Sequence, residues 1–187
     1  MADLIYTTNV SLDGYIEDVY GSFDFTVPGD DQFAFITDLE RSAGTYVYGR
    51  RLYETMAVWE TMPAIWADSD LRAAFAAMWQ AADKVVYSST LADVATAKTR
   101  VERAFEPEAL RALTASSPGD HVTIGGAHLA QHAFAAGLVD EVRLFVAPVT
   151  LGAGKAALPT DQRVNLALLD ETRFAGGTVY LRYRVTP

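Results

Sequence analysis

Two short segments carry the residue types that could handle phosphate: Tyr48-Gly49-Arg50-Arg51 and Ile124-Gly125-Gly126-Ala127-His128-Leu129. In each, glycine stands between a β-prone run and a run of helix formers. Glycine there lets a ligand approach the backbone closely, and a helix start presents free N–H groups that favour an anion. Arg50 and Arg51 add two guanidinium groups able to grip phosphate through charge-assisted hydrogen bonds. Either segment alone is also explained by a tight turn, but both in one small domain suit a dinucleotide. Ser88-Ser89-Thr90 offers hydroxyls after the β run Val85 to Tyr87, as ligand contacts or as an ordinary cap. Asp13 lies in the loop after the first β run and Asp30-Asp31 opens a helical segment. Either could face a cleft, although turn and N-cap roles also explain them.

Other chemistries are poorly supplied. His128 and His132 are four apart on a helix, yet Leu129 stands where a metalloprotease motif needs Glu, so no metal site is expected. The chain has no cysteine, which removes disulfides, thiolate ligands and thiol nucleophiles. No Gly-x-Ser-x-Gly elbow occurs, and Gly154-Lys155 is followed by Ala156, which excludes a P-loop. With 24 acidic against 15 basic side chains among 187 residues, the formal charge is −9, so a nucleic acid partner is not expected. Half of the residues are hydrophobic, enough for a real core. The first residues, MADLIYTTNV, lack a basic stretch before an apolar run, and no uncharged apolar run approaches about 18 residues, so the expected location is the cytoplasm, away from membranes.

These residues need strands and helices to place them. Leu4 to Val10 reads as a strand closed by Asp13-Gly14. Asp30 to Ala43 reads as a helix with Gly44 as its stop. A strand, tight turn and helix follow at TYVYGRRLYETM. Asp68 is a plausible N-cap for a helix carrying Leu71, Phe75, Met78 and Ala82, which leads into the β run from Lys84. The strand, turn and helix repeat at HVTIGGAHLAQHAFAAG, closed by Gly137, before EVRLFVAPV. Arg163 to Phe174 and Thr178 to Val185 flank Gly176-Gly177, which suits a two-residue hairpin turn. MPAIWADSD and TASSPGD read as surface loops. The pattern predicts one domain over residues 1–187: a three-layer α/β fold with a mostly parallel central sheet and an antiparallel C-terminal hairpin.

The order Asn9 to Ile16 (NVSLDGYI), Tyr48 to Glu54 (YGRRLYE), Lys84 to Ser89 (KVVYSS) and Ile124-Gly125-Gly126 resembles the dihydrofolate reductase superfamily. With Leu138 to Val142 and Pro148 to Gly154, the chain looks most like the reductase domain of the bifunctional deaminase-reductase of riboflavin biosynthesis. The resemblance implies a dihydrofolate reductase-like fold and an NADPH-dependent reduction of a small heterocyclic or sugar-bearing substrate. It places Ser11, Leu12, Asp13 and Gly14 beside the nicotinamide, with Asp13 the candidate catalytic side chain. It further gives Gly49, Arg50 and Arg51 to the adenosine-side phosphates, Ser88 and Ser89 to the 2′-phosphate, and Gly125, Gly126, Ala127, His128 and Leu129 to the pyrophosphate. Family habit implies a homodimer. No cysteine exists to bind the zinc of a deaminase domain, so a reductase domain standing alone is expected. Asp30 and Asp31 fall at a helix start, away from the cleft face where a folate reductase keeps its acid, so dihydrofolate is not the expected substrate. The alternative is a nucleotide-binding or interaction module of the same fold without turnover.

Overall fold

The computed structural model describes residues 2–187. In chain order the strands are β1 (Asp3–Ser11), β2 (Tyr15–Glu17), β3 (Ala43–Gly49), β4 (Asp83–Tyr87), β5 (Thr99–Glu102), β6 (His121–Gly125), β7 (Glu141–Ala147), β8 (Lys155–Ala156), β9 (Asn165–Arg173) and β10 (Val179–Thr186). The helices are α1 (Asp30–Glu40), α2 (Arg50–Met56), α3 (Val58–Thr61), α4 (Asp70–Ala81), α5 (Pro107–Ser116) and α6 (Ala127–Ala135). Eight strands form one sheet in the order β5-β4-β3-β6-β1-β7-β10-β9. Those from β5 to β7 run parallel, while β10 is antiparallel to both β7 and β9. The α/β architecture read from the sequence is therefore the one observed.

Both faces of the sheet are covered over most of its width, as the near-continuous apolar runs of parallel strands require. On one face, Tyr6, Val47, Val85, Val122 and Ile124 pack against Leu110 of α5 and Leu129, Ala133 and Phe134 of α6. On the other, Tyr46, Tyr48 and Val86 meet Tyr53, Phe75 and Trp79 from α2 and α4. Phe145 and Tyr180 meet Phe35, Ile36 and Leu39 of α1 on that same face. The far end of α1 is fixed by a buried carboxylate: Glu40 accepts a 2.6 Å hydrogen bond from the Thr123 hydroxyl, and the Arg143 guanidinium lies 3.8 Å away. A charge at this depth needs such partners. Together they hold the helix whose other end carries Asp31.

Several boundaries differ from the sequence reading. The first helix ends at Glu40, and Gly44 lies inside β3, where its missing side chain lets Gly119 pack directly on the backbone. The N-cap of α4 is Ser69, whose Oγ accepts from the Arg72 amide, one residue later than Asp68. Thr114 to Ser116 belong to α5, and part of the expected surface loop near Pro63 is a 3-10 turn. The hairpin between β9 and β10 does not turn on two residues. The Phe174 amide donates to the Thr178 carbonyl and the Gly177 amide to the Phe174 carbonyl, with Gly177 at φ +88°, so three residues form the reversal.

Candidate functional site

Parallel strands present their carboxyl ends along one edge of a sheet, where ligands of open α/β folds collect. Here β4, β3, β6, β1 and β7 are consecutive neighbours. From their ends emerge, in that order, Ser88-Ser89, Gly49-Arg50-Arg51, Gly125 to Leu129, Ser11 to Gly14 and Ala147-Pro148-Val149. Segments far apart in the chain thus form one line, about 19 Å from first strand to last at the usual strand spacing.

The two glycine turns lie side by side at its centre. Gly49 is the N-cap of α2 and Gly126 the N-cap of α6, and neither helix start is capped by a side chain, so the first N–H groups of both face outward unclaimed. Gly126 stands at φ +94°, a conformation that side chains disfavour, and a Cβ there would project to 3.7 Å from the Gly49 amide nitrogen. Gly125 is buried against Leu52, with no room for a side chain. Ala127 and Leu129 are also buried, so they present backbone and not side chains. His128 is exposed and meets His132 edge to face at 5.0 Å, and His132 in turn stacks on Phe105. Among the described residues no group of three or more His, Asp or Glu side chains could hold a metal ion.

The arginines divide. Arg51 is paired with Glu17 of β2 at 3.0 Å and tethers that strand, instead of reaching freely toward a phosphate. Arg50 holds only a 3.5 Å, half-exposed contact with Glu54 and is the freer cation. A third arginine, not singled out from the sequence, sits beside the serines: Arg103 donates to the Ser88 carbonyl (3.2 Å) and the Leu91 carbonyl (2.6 Å). It follows β5, a strand of 4 residues too short to stand out in the pattern. Ser88 Oγ accepts from the amides of Thr90 and Leu91, so it caps its own loop, while Ser89 remains exposed.

Asp13 acts as a clasp. Its carboxylate accepts from Ser11 Oγ (2.6 Å) and from the amides of Leu151 and Gly152 (3.1 and 2.7 Å), joining the loop after β1 to the loop after β7. The Ser11 hydroxyl, foremost, and the two amides hold its carboxyl below the ordinary 3.8. An ionised acceptor is not a proton donor near neutrality, and these contacts make Asp13 a link between the two loops. The folded state favours the ionised form, so the clasp contributes its full stability above pH 3.8 and loses it as pH falls through the lower folded value. Amide exchange at Leu151 and Gly152 is accordingly expected to stay slow at pH 5 and to accelerate selectively below pH 3.8, beyond the intrinsic rate change. Uniform behaviour with the rest of the chain would remove the clasp.

Next to this loop, a cavity of about 260 Å³ is lined by Phe25, Val27, Asp31, Gln32, Pro148 and Thr178 among others. Its walls mix apolar side chains with polar groups, Asp31 and Gln32 from the start of α1 and Thr178 from the segment before β10. The sequence reading set Asp31 aside because it opens its helix; in the fold, that helix start itself borders the cavity. Asp31 accepts from the Ala175 amide (2.8 Å) and the Gln32 amide (2.9 Å), which keep its carboxyl ionised, and it ties the β9–β10 turn over the pocket.

Comparison with known proteins identifies the family and the fold. The RibD C-terminal domain model matches residues 2–180. YyaP of Bacillus subtilis (strain 168), itself uncharacterised, is 28% identical over 182 residues, covering 96% of this chain and 93% of that protein. A solved structure from Shewanella sp. PV-4, provisionally named a riboflavin biosynthesis protein, superposes with a TM-score of 0.74 at 19% identity, each chain covered in full. RibD of Acinetobacter baumannii gives a TM-score of 0.73 at 17% identity, and the whole of this chain spans 58% of that longer protein. Sequence motifs, sheet order and family model converge: the chain belongs to the RibD C-terminal domain family, whose structural relatives are RibD and pyrimidine reductase-like proteins.

Proposed function

We propose that the protein is an NADPH-dependent reductase of a small heterocyclic or sugar-bearing substrate, similar to 5-amino-6-(5-phosphoribosylamino)uracil, the compound in the name of a Thermotoga maritima relative. The observation that carries this reading is the order along the sheet edge: serines and arginines, then the glycine cradle, then the Asp13 loop, then the cavity. It matches adenosine phosphate, pyrophosphate, nicotinamide and substrate laid end to end. The cradle fits the cofactor because the uncapped starts of α2 and α6 offer N–H groups to the pyrophosphate, and a Cβ at Gly126 would fill the space between them. When bound, NADPH supplies a hydride to an electrophilic carbon. The clasp at Asp13 fixes the loop that would border the nicotinamide, and Asp31 and Gln32 would orient polar groups of the substrate. Neither aspartate carries a proton near neutrality, so water entering the open cavity completes the reduction.

The test follows NADPH absorbance with 5-amino-6-(5-phosphoribosylamino)uracil and with dihydrofolate. Oxidation with the first and negligible oxidation with the second is expected. Brisk turnover of dihydrofolate would transfer the assignment to folate chemistry, and oxidation with neither would remove this substrate class. Cofactor choice is checked separately by calorimetry: NADPH is expected to bind about tenfold or more tightly than NADH, the value of a charge-assisted contact partly screened by solvent. Arg50→Ala should erase most of that difference. Equal affinities in the parent would count against any 2′-phosphate site at Arg50.

A further inference from the structure

The cavity beside the Asp13 loop is walled by segments whose charges have one sign. Between Asp18 and Gln32 the chain carries four acids, Asp18, Asp24, Asp30 and Asp31, and no lysine, arginine or histidine. The other two walls, from residues 147–149 and from the turn at 174–178, are uncharged. Among the described residues that line the cavity, Asp31 alone is charged, and the amides of Ala175 and Gln32 keep it ionised. Two cations approach the start of the acidic segment, but both turn to Glu17: Arg51 at 3.0 Å and Lys155 at 4.0 Å. A phosphate ester carries a charge of about −1.5 to −2 near neutrality. It would enter against Asp31, in a chain whose formal charge is −9, with no base in the wall to receive it.

What the wall does offer is a neutral polar group. Gln32 is only 5% exposed yet lines the cavity, and its side-chain amide has no hydrogen-bond partner among the described residues; only its backbone N–H is engaged, donating to Asp31. A buried amide needs a partner. This one sets a carbonyl acceptor beside an NH₂ donor, the complement of a ring edge where N–H adjoins C=O, or of neighbouring sugar hydroxyls. The Asp31 carboxylate next to it accepts from one more N–H or O–H. We propose that, on the reductase reading above, on which this rests, the cavity takes a phosphate-free substrate: a neutral heterocycle or its unphosphorylated glycoside, held by Gln32 and Asp31, with Gln32 setting specificity. At about 260 Å³ the cavity is at the small end of ligand pockets, which suits the smaller molecule.

The test compares 5-amino-6-(5-phosphoribosylamino)uracil with the same compound after phosphatase treatment, at saturating NADPH. The unphosphorylated form should have a kcat/KM about tenfold or more higher. Raising the ionic strength from about 0.01 to 0.1 M should improve only the phosphorylated form, because salt screens the repulsion. Val27→Lys places a cation at an 80% exposed position of the wall, so it should narrow the preference without burying a charge. Gln32→Leu should lower kcat/KM for both compounds about tenfold, with NADPH affinity held within about twofold. Calorimetric titration of each compound onto the protein loaded with NADP⁺ reads the same preference without turnover. Absence of oxidation alongside preferential binding of the unphosphorylated form would therefore overturn the reductase reading and uphold the cavity's choice of ligand. Equal or better binding of the phosphorylated form, a preference indifferent to both salt and Val27→Lys, or parental kinetics in a folded Gln32→Leu variant would overturn the proposal.

Discussion

Replacing Gly126 by valine is expected to abolish NADPH binding while the sheet stays folded. The position combines two constraints that can be separated experimentally. Its φ of +94° is strained for any side chain, at a cost of about 1–3 kcal/mol, and that cost falls on stability alone. In a domain of this size it lowers the melting temperature by roughly 2–4 °C for each kcal/mol. The second constraint falls on the ligand. A Cβ meets Gly49 N at 3.7 Å and Leu52 Cβ at 4.0 Å, ordinary contact distances, so the protein itself has room for alanine. The two further methyl groups of valine occupy the gap between the starts of α2 and α6, where the pyrophosphate would lie. With NADPH at about one hundred times its dissociation constant, the parent should gain about 2.7 kcal/mol of stability. Gly126→Ala shares the backbone strain and should retain part of that gain; Gly126→Val should show none. If the valine variant is stabilised by NADPH as much as the parent, the double glycine is a structural turn and the cofactor lies elsewhere.

Legibility from the sequence followed the physics of each signal. Strands β1, β3, β4, β6 and β7 announce themselves because central parallel strands are buried on both faces and read as apolar runs. The strand-glycine-helix turns are equally plain, since φ and close approach demand glycine locally. What the sequence hid depends on contacts between distant segments. Gly44 looked like a helix stop, but its partner is Gly119, which only the β3–β6 pairing brings near. Arg51 looked free until β2 placed Glu17 beside it. Strand β5 and helix α5 were missed, the strand because 4 residues leave little pattern and the helix because its buried residues are few, Leu110 and Thr114. The cavity was invisible for the same reason: Asp31, Pro148 and Thr178 meet only after α1, β7 and β10 are assembled.

Asp31→Asn is expected to lower kcat/KM on the order of tenfold or more, and to leave NADPH affinity within about twofold, because the asparagine removes a charge-assisted acceptor from the cavity and not from the cofactor edge. The carboxylate already accepts two backbone amides, from Gln32 and Ala175, and an ionised carboxylate has further lone pairs to offer a substrate N–H or hydroxyl. The amide of asparagine has one acceptor oxygen, so it must forfeit one of these roles. Asp30→Asn is the control, since Asp30 is exposed beside Asp31 but outside the cavity lining. Charge and scaffolding separate by pH. The two amides hold the Asp31 carboxyl below 3.8, so its contribution to kcat/KM should be constant from pH 8 to pH 5 and fall only beneath 3.8. A general acid at this position would instead show activity rising as pH falls toward its pKa. Scaffolding is read at the β9–β10 turn, where losing the Ala175 bond should speed exchange of that amide. An Asp31→Asn variant with parental kcat/KM would place the substrate outside the cavity, and a rate that climbs between pH 7 and pH 5 in the parent but not in the variant would make Asp31 the proton donor after all.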